Sequence, residues 1–329
     1  MYKIGVVIPV YHGRGKVEKA LDTLVTQTFR DFEVCLSNDC DGESYEDIAA
    51  EYAHRGLTMK YVERAERGGP GMARQSGIDQ LINECEYLMF MDQDDVMMPM
   101  GLQYAYNAIE DDIDICQCTF IEESKTQYVL HEGATSPVTY IHAKIYRSQF
   151  LKENNICFTD KVFWNEDCYF NVVAMNVGRC ARINTAPLYL WRYNNKSATH
   201  ENFTEFFTKA WDTFALSQVL AILKIEEVAP ERLTPTACGA ITREIYIHCQ
   251  NGLANGQDES RVYKWLDMLK TSERYLATLK TPEFWKAMLQ LRNYVYYNAI
   301  EDKNFLPSEN ILEWVKRLIS TEVWDDIYC

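Results

Sequence analysis

Along the first 120 residues, segments with the apolar pattern of a strand alternate with segments with the apolar pattern of a helix. The β-branched apolar run Lys3–Val10 is typical of a buried strand, and the apolar stripe within Val17–Thr26 is typical of a helix. The same alternation predicts further strands and helices: strands at Phe32–Ser37, Thr58–Glu63, Tyr87–Met91 and Asp114–Phe120, and helices at Tyr45–His54, Gly71–Glu84 and Met100–Glu110. Strands that alternate with helices indicate βαβ crossovers and a mainly parallel sheet, which is an α/β fold.

The pattern is mixed over residues 121–202 and becomes helical after Phe203. The mixed part predicts these elements: a strand from Gln127, helices around Ile145–Glu153 and Asp167–Val177, and a strand at Pro187–Tyr193. The last part predicts helices at Phe206–Leu223, Pro235–Asn251, Ser260–Leu269 and Pro282–Ala299. We therefore expect a first domain over residues 1–202, with one half at about 1–120 and the other at 121–202, and a helical C-terminal domain over residues 203–329.

Composition narrows the class of protein. Hydrophobic residues make up 47% of the chain and charged residues 25%, which is the balance of an ordinary folded protein. The net charge of −15 argues against direct nucleic-acid binding, which needs clustered Lys and Arg. The 11 cysteines are scattered, and no stretch approaches about 18 consecutive apolar residues. We expect reduced thiols, no transmembrane segment and a cytoplasmic location.

Cys116 and Cys118 allow two interpretations. They could form a metal pair, but they lie two residues apart on a predicted strand and therefore share one buried face. No second Cys or His pair at zinc spacing accompanies them. The preferred interpretation is that both thiols belong to the core.

Three strands of the predicted sheet end in polar or special residues. In parallel sheets, ligands bind outside the carboxyl ends of the strands. The segments at those ends are Pro9–Tyr11, Asn38–Asp41 and Asp92–Asp95. Their coincidence indicates a site at this edge of the sheet.

The segment after the strand Tyr87–Met91 carries three acids in four positions, Asp92, Asp94 and Asp95, around Gln93. Like charges at this spacing raise one another's pKa values and destabilise the fold. Mn²⁺ or Mg²⁺ relieves that repulsion, because carboxylate oxygens suit hard divalent cations. The alternative is a solvated acidic turn that precedes a helix.

Asp39 and Asp41 follow the second predicted strand. A carboxylate at this position can accept hydrogen bonds from the N–H groups of a base or from ribose hydroxyls. The alternative is an Asx turn that leads into the helix at Tyr45.

The glycine-rich segment Arg67–Gly77 leads into a predicted helix. Its backbone N–H groups can approach an anion, the helix dipole favours negative charge there, and Arg74 adds a permanent cation. A flexible loop is the alternative.

Glu166 and Asp167 follow Trp164 at the start of an apolar helix. An acid pair beside an aromatic ring is a reasonable general base with an acceptor platform. Acids in the first turn of a helix are also common as caps, and this alternative stays open.

Taken in order, these segments resemble glycosyltransferase family 2. The residues that carry the resemblance span about residues 1–200: Pro9-Val10-Tyr11, Gln27-Thr28-Phe29, Asp39, Gly69 with Ala73 and Arg74, Asp92 with Asp94, Glu166 with Asp167, and Tyr189 with Arg192 and Ser197. The resemblance implies a GT-A fold, in which the half at 1–120 binds the nucleotide and the half at 121–202 the acceptor. It also implies inverting transfer of a sugar from a nucleotide diphosphate sugar, by default a UDP-sugar, to a hydroxyl of a glycan, lipid-linked or protein acceptor.

The resemblance also implies roles for individual residues. Asp167 is the expected base, with Glu166 orienting it or the acceptor. Asp94, with Asp92, is expected to hold Mn²⁺ or Mg²⁺, and His200 after the closing strand is either a further ligand or a surface histidine. The residues expected to contact the donor are Pro9, Tyr11, Asp39, Asp41, Gly69, Arg74, Asp92, Gln93, Arg192 and Ser197.

Several positions depart from the family pattern. Asn38 precedes Asp39 where two acids are frequent, and Arg67 and Gln75 replace asparagines on either side of the glycine segment. The Gln-x-x-Arg-Trp signature of processive synthases is missing, which indicates single additions.

Two other functions remain to be weighed. The loop His12–Lys16 offers glycines and cations of the kind a nucleotidyltransferase uses, and that enzyme would release pyrophosphate rather than a nucleoside diphosphate. Alternatively, the helical part after residue 203 is the working part of a non-catalytic assembly protein. The same helices are the expected surface for any homo-oligomer.

Overall fold

The computed structural model of the chain describes residues 1–134, 140–194, 203–258 and 260–289. The chain divides into two compact units, Met1–Phe203 and Thr204–Cys329. Strands are confined to the first unit within these described ranges, and the second unit is helical.

The first unit is built around a seven-stranded sheet. Its strands are β1 (Tyr2–Val10), β2 (Phe32–Asn38), β3 (Met59–Glu63), β4 (Cys85–Phe90), β6 (Ile115–Gln117), β9 (Lys144–Arg147) and β10 (Cys180–Arg182). The remaining strands form a second sheet: β5 (Val96–Met97), β7 (Phe120–Glu123), β8 (Tyr128–His131) and β11 (Tyr189–Trp191). The helices are α1 (Val17–Val25), α2 (Glu46–His54), α3 (Gly69–Leu81), α4 (Gly101–Asn107), α5 (Ser148–Glu153) and α6 (Glu166–Val177).

The main sheet has the order β10-β6-β9-β4-β1-β2-β3 and is mainly parallel, as the sequence predicts. β1 lies between β4 and β2, with Val6 opposite both Val34 of β2 and Met89 of β4. These strands are mostly apolar because both faces of β1 and β2 are covered. The carboxyl ends of β1, β2 and β4 therefore open on the same edge of the sheet.

Two predicted elements of the first unit are wrong. The strand predicted at Asp114–Phe120 is two strands, β6 in the main sheet and β7 in the second sheet. The chain changes sheet at Thr119, whose hydroxyl accepts hydrogen bonds from the amides of Thr185 and Gly133. The helix predicted from Ile145 begins only at Ser148, because the buried residues of Lys144–Arg147 pair as a strand with both β4 and β6.

The second sheet has the order β5-β11-β7-β8 and brings the closing strand β11 beside the acid-rich segment that precedes β5. Tyr189 of β11 lies opposite Met97 of β5 and Phe120 of β7. Cys116 and Cys118 are buried with their Sγ atoms 3.8 Å apart, in agreement with the core interpretation.

The second unit contains helices α7 (Phe203–Val228), α8 (Pro235–Ala254), α9 (Ser260–Leu266), α10 (Glu273–Thr278) and α11 (Pro282–Leu289) in its described part. The helix predicted at Ser260–Leu269 ends early, and a 3₁₀ turn at Asp267–Thr271 leads to Ser272, whose hydroxyl caps α10 at the amide of Tyr275. No helix of the described ranges is long and apolar enough to cross a membrane.

Candidate active site

The loops after β1, β2 and β4 meet at the carboxyl edge of the main sheet. The amide of His12 donates to the Asp41 carboxylate at 2.6 Å, and His12 adopts a left-handed backbone with φ 46°. The Gln93 side chain joins the first loop to the acid-rich one, since its amide both donates to the Tyr11 carbonyl and accepts from the Tyr11 N–H at 3.0 Å. The structure thus brings together the three segments that the sequence selects, and Pro9 lies buried beside them in β1.

Asp41 organises the first two loops. Its carboxylate accepts hydrogen bonds from the Tyr45 hydroxyl at 2.7 Å and from the amides of Glu43 and His12. Burial alone would raise the pKa of Asp41, but these donors outweigh it and lower the pKa. In this structure its carboxylate holds the loop, and the expected donor contact stays a prediction.

Asp39 holds the glycine segment. Its two carboxylate oxygens accept hydrogen bonds from the amides of Gly68 at 2.8 Å and Gly69 at 2.7 Å, and Arg64 lies 3.3 Å away. Burial raises the pKa of Asp39, although the two amides and Arg64 oppose it. Gly69 has φ 82°, and a Cβ there would lie 2.9 Å from the Phe163 ring, so the turn requires glycine.

Arg74 of α3 connects the acid-rich loop to the acid pair. Its guanidinium is buried and donates to Asp92 Oδ1 at 2.8 Å and to Glu166 Oε1 at 2.7 Å. Burial works against its charged form, but the carboxylates of Asp92 and Glu166 more than compensate and raise the pKa of Arg74. One cation therefore fixes two segments that are far apart in sequence.

The acid pair begins α6. Asn165 precedes it with a left-handed φ of 63°, and a Cβ on Gly71 would lie 2.8 Å from Glu166 Cγ. Burial and the neighbouring Asp167 charge raise the pKa of Glu166 to about 7, against the effect of Arg74. Burial also raises the pKa of Asp167, although Arg74 and the amide of Cys168, which donates to Asp167 Oδ1 at 2.8 Å, oppose it.

The other two acids of the loop have different surroundings. Asp95 is buried and accepts hydrogen bonds from the Tyr189 hydroxyl at 2.6 Å and the Arg192 amide at 2.8 Å. Asp94 is half-buried and accepts from the Asn194 side chain at 2.6 Å. Burial and the charge of Asp92 raise the pKa of Asp95 well above its ordinary value.

Some predicted site residues are not gathered here. The Arg192 guanidinium lies 3.7 Å from Glu123, and its main chain rather than its side chain contacts Asp95. Ser197 and His200 lie outside the described residues. In the loop His12–Lys16, considered for a nucleotidyltransferase, Arg14 donates to Asp47 and to the Ser44 carbonyl.

Three residues of the site were missed by sequence reasoning. Buried His142 stacks on the Tyr189 ring at 4.8 Å, and one of its ring nitrogens lies within 4.8 Å of carboxylate oxygens of Asp92 and Asp95. Lys144 is buried near Asp167, and burial lowers its pKa to about 7 although the Asp167 charge opposes this. Arg67 lies 4.2 Å over the Tyr11 ring. His142 and Lys144 belong to no motif, and Arg67 begins the glycine-rich segment without an expected role of its own. Only the fold reveals these contacts.

Several known proteins are similar to this chain in sequence. The sequence model of the family described as "Glycosyl transferase family 2" matches residues 5–181. The uncharacterized glycosyltransferase EpsJ of Bacillus subtilis (strain 168) is 26% identical over 218 residues, which cover 60% of this chain and 62% of that protein. A poly(ribitol-phosphate) beta-glucosyltransferase of Bacillus spizizenii is 29% identical over 187 residues, which cover 52% of this chain and 29% of that protein. The chain thus matches less than two thirds of either relative.

Solved structures share the fold. TarS 1-349 of Staphylococcus aureus in complex with UDP superposes with a TM-score of 0.65 at 20% identity, over 91% of this chain and 88% of that one. The same protein in complex with UDP-GlcNAc gives a TM-score of 0.66 over the same shares. The predicted GT-A architecture, a mainly parallel α/β domain with a helical C-terminal region, is confirmed.

Proposed function

The chain belongs to glycosyl transferase family 2, and from this premise we propose that it transfers a hexose or N-acetylhexosamine from a UDP-sugar to an acceptor hydroxyl with inversion. The observation that carries the proposal is the Arg74 bridge. It ties Asp92, at the strand end where the donor is expected, to Glu166, beside the expected base Asp167. Donor and base residues are thereby held in one arrangement.

The proposed donor and acceptor follow from the relatives. TarS has been crystallised with UDP and with UDP-GlcNAc, and the Bacillus spizizenii relative is named for glucosylation of poly(ribitol-phosphate). A UDP-hexose or UDP-N-acetylhexosamine is therefore the proposed donor. The proposed acceptor is a hydroxyl of a carbohydrate or polyol chain, which is lipid-linked or free.

The acid-rich loop suits a divalent cation. Asp92, Asp94, Asp95, Glu166 and Asp167 place five carboxyl groups at one edge of the sheet, and buried Arg74 serves two of them. We infer that Asp94, with Asp92, holds Mn²⁺ or Mg²⁺ there. When bound, the ion supplies positive charge to the leaving diphosphate.

The proposed chemistry is a single displacement. Asp167 accepts the proton of the acceptor hydroxyl while its oxygen forms a bond to the anomeric carbon. The bond between that carbon and the diphosphate oxygen breaks, and the electron pair leaves with UDP. Attack opposite the leaving group inverts the anomeric configuration, through a centre with oxocarbenium character by analogy with glycoside hydrolysis.

The surroundings of Asp167 support its role as base. Burial raises the pKa of the Asp167 carboxyl, and a higher pKa makes a carboxylate a stronger proton acceptor near neutral pH. Arg74 and Lys144 contribute positive charge nearby, so the carboxylate still forms. Arg74 also fixes Glu166, which orients the pair through its position in the same turn of α6.

Asp167→Asn tests the proposal. We expect nearly unchanged UDP-sugar binding and a turnover lower by roughly 10²-fold or more, because an amide cannot accept the proton. The measurements are acceptor-dependent UDP release at saturating donor, and donor affinity by calorimetry. Asp160→Asn, an exposed aspartate shortly before α6, is the matched control and should behave as wild type.

The result also separates the rival roles. If Asp167→Asn turns over within a few-fold of wild type, the base lies elsewhere and Glu166 is the next residue to test. Release of pyrophosphate instead of UDP would indicate nucleotidyl transfer. Loss of both turnover and donor binding would indicate that the variant is misfolded.

A further inference from the structure

His142 is a buried polar side chain without a hydrogen-bond partner at one ring nitrogen. It is 4% exposed, and its Nε2 atom has no partner among the residues that the structure describes. Leaving a buried polar atom unsatisfied costs about 1–3 kcal/mol, so such an atom in a functional region calls for an explanation.

Aromatic rings fix the position of the imidazole. The His142 ring stacks on Tyr189 at 4.8 Å with an interplanar angle of 2° and on Tyr140 at 5.4 Å with 17°. Phe120 contacts it edge-on at 4.6 Å. The ring is therefore held in one orientation by packing on several sides.

The imidazole faces two carboxylates. One ring nitrogen of His142 and carboxylate oxygens of Asp92 and Asp95 all lie within 4.8 Å of one another. Asp92 Oδ1 accepts one hydrogen bond from Arg74, and the Asp95 oxygens accept one each from Tyr189 and Arg192. A carboxylate oxygen has two lone pairs, so both groups retain capacity for a further ligand.

We propose that Asp92, Asp95 and His142 form a second binding site, for a divalent transition-metal ion, which does not include Asp94 and shares Asp92 with the ion proposed there. Two carboxylate oxygens and an imidazole nitrogen are a complete set of three protein ligands, and the half-buried side of Asp92 provides access. Metal–ligand distances near 2.0–2.2 Å put neighbouring ligands roughly 3–4 Å apart, so the observed cluster needs only a small contraction.

The ligand set also specifies the kind of cation. Mg²⁺ and Ca²⁺ prefer oxygen ligands alone, whereas imidazole suits Zn²⁺ and other transition metals and carboxylate also suits Mn²⁺. The site should therefore bind Mn²⁺ or Zn²⁺ in preference to Mg²⁺. Since the ligands are all side chains of this chain, the site should bind the ion without a sugar donor, and its occupancy is independent of the proposed transfer reaction.

The test is a titration of chelator-treated, full-length protein with Mn²⁺ in the absence of donor. Electron paramagnetic resonance measures the free Mn²⁺, and pulsed measurements detect a ligating nitrogen through its hyperfine coupling. We expect a bound Mn²⁺ with histidine-nitrogen coupling, only weakly displaced by Mg²⁺. His142→Gln should abolish the coupling and weaken binding on the order of 10-fold or more.

Three variants sharpen the result. His131→Gln removes another histidine of the same aromatic cluster, stacked on Phe120 and paired with Glu122, and should keep the nitrogen coupling. Asp94→Asn should keep it as well. If His142→Gln fails to fold, Asp95→Asn, which retains the shape of the side chain, should weaken Mn²⁺ binding by a similar factor.

Three outcomes would overturn the proposal: no Mn²⁺ bound by the free protein, Mn²⁺ bound without nitrogen coupling, or coupling that survives in His142→Gln. Sugar transfer is assayed separately on the same samples. A protein that transfers sugar but lacks the nitrogen coupling refutes this site and leaves the proposed function standing. Coupling without transfer refutes the proposed function alone.

Discussion

The two units of the chain bury polar groups in different ways. In the first unit, buried or half-buried charges converge at the carboxyl edge of the main sheet, where five carboxyl groups lie and two of them share the cation Arg74. In the second unit, the buried acid Asp212 has its own cation, Arg261, and a further donor in the indole N–H of Trp265 at 2.9 Å. The first arrangement has surplus negative charge, and the second is balanced.

This difference distinguishes a site from a structural network. Balanced pairs such as Asp212 with Arg261, or Thr242 with the Tyr275 hydroxyl at 2.9 Å, satisfy each other and leave nothing to bind a ligand. Surplus acid is costly unless a cation or a proton arrives. We therefore expect a cation or another ligand to bind at the edge of the main sheet. The polar pairs of the second unit instead stabilise that unit.

The largest effect on activity should follow from removing one of the acids at the edge of the main sheet. Asp94→Ala should lower acceptor-dependent UDP release on the order of 10²–10³-fold, the scale of losing one electrostatic contact to developing charge. The unfolding midpoint should not fall, because the change also removes repulsion. Asp112→Ala, whose carboxylate is 73% exposed, is the control. Normal activity of Asp94→Ala in the presence of a chelator would contradict the metal assignment.

For Asp212, which is paired with Arg261, we expect a loss of stability without a loss of activity. Asp212→Ala leaves the Arg261 and Trp265 donors without their acceptor and should lower the free energy of unfolding by about 1–3 kcal/mol. Turnover per folded molecule should stay at the wild-type value. Denaturant unfolding and UDP release measure the two quantities.

Asp267→Ala is the control for this variant, because its partner Lys270 and its own carboxylate are both largely exposed. The cost there should be below about 1 kcal/mol. If Asp212→Ala were stable but inactive, the contrast between the two units would be wrong.

A smaller effect is expected at Asp39, which has a structural and a binding role. Asp39→Ala frees the amides of Gly68 and Gly69 and removes the expected contact with the donor base. The donor Kd should rise roughly 10-fold, the effect of one charged hydrogen bond, while the turnover at saturating donor changes less. An unchanged Kd in calorimetry would show that Asp39 serves the glycine turn alone.

The smallest effect is a shift in pH dependence. The pKa of Glu166 is raised to about 7 and that of Asp167 is also raised, so the pair holds protons at pH values where ordinary carboxyl groups have lost them. Because the base must be deprotonated, kcat/KM should fall as the pH decreases through this range. Glu166→Gln removes one negative charge and should move the acid limb to lower pH by roughly one unit. If the acid limb of the profile does not move in Glu166→Gln, another group controls it.

Much of the first unit could be predicted because its signals are local. The strands and helices up to α3 follow from apolar periodicity. Asp39 and Asp92 follow from what stands at the strand ends, and Arg74 follows from the glycine-rich segment that leads into α3. The division of Asp114–Phe120 between two sheets could not be predicted, since it depends on hydrogen bonds from Thr185 and Gly133.

The rest of the site depends on contacts between distant segments. Two features of the fold place His142 near Asp92 and Asp95. Strand β9, which follows His142, pairs with β4, and the His142 ring stacks on Tyr189 of β11. The direction of the Gln93 side chain, toward the main chain of Tyr11, is likewise set by a neighbour 82 residues away. The spacing of residues along the sequence does not show that these distant segments lie close together.

The Arg74 bridge also has a thermodynamic consequence. A donor or an ion that binds Asp92 weakens the hydrogen bond between Asp92 and Arg74. The Arg74 guanidinium can then strengthen its contact with Glu166. Binding at one end of the bridge and the state of the acid pair at the other are thus linked. Linkage is reciprocal, so a donor that alters acceptor affinity by a given factor must have its own affinity altered by the same factor. A single buried side chain would thus couple the binding of the two proposed substrates.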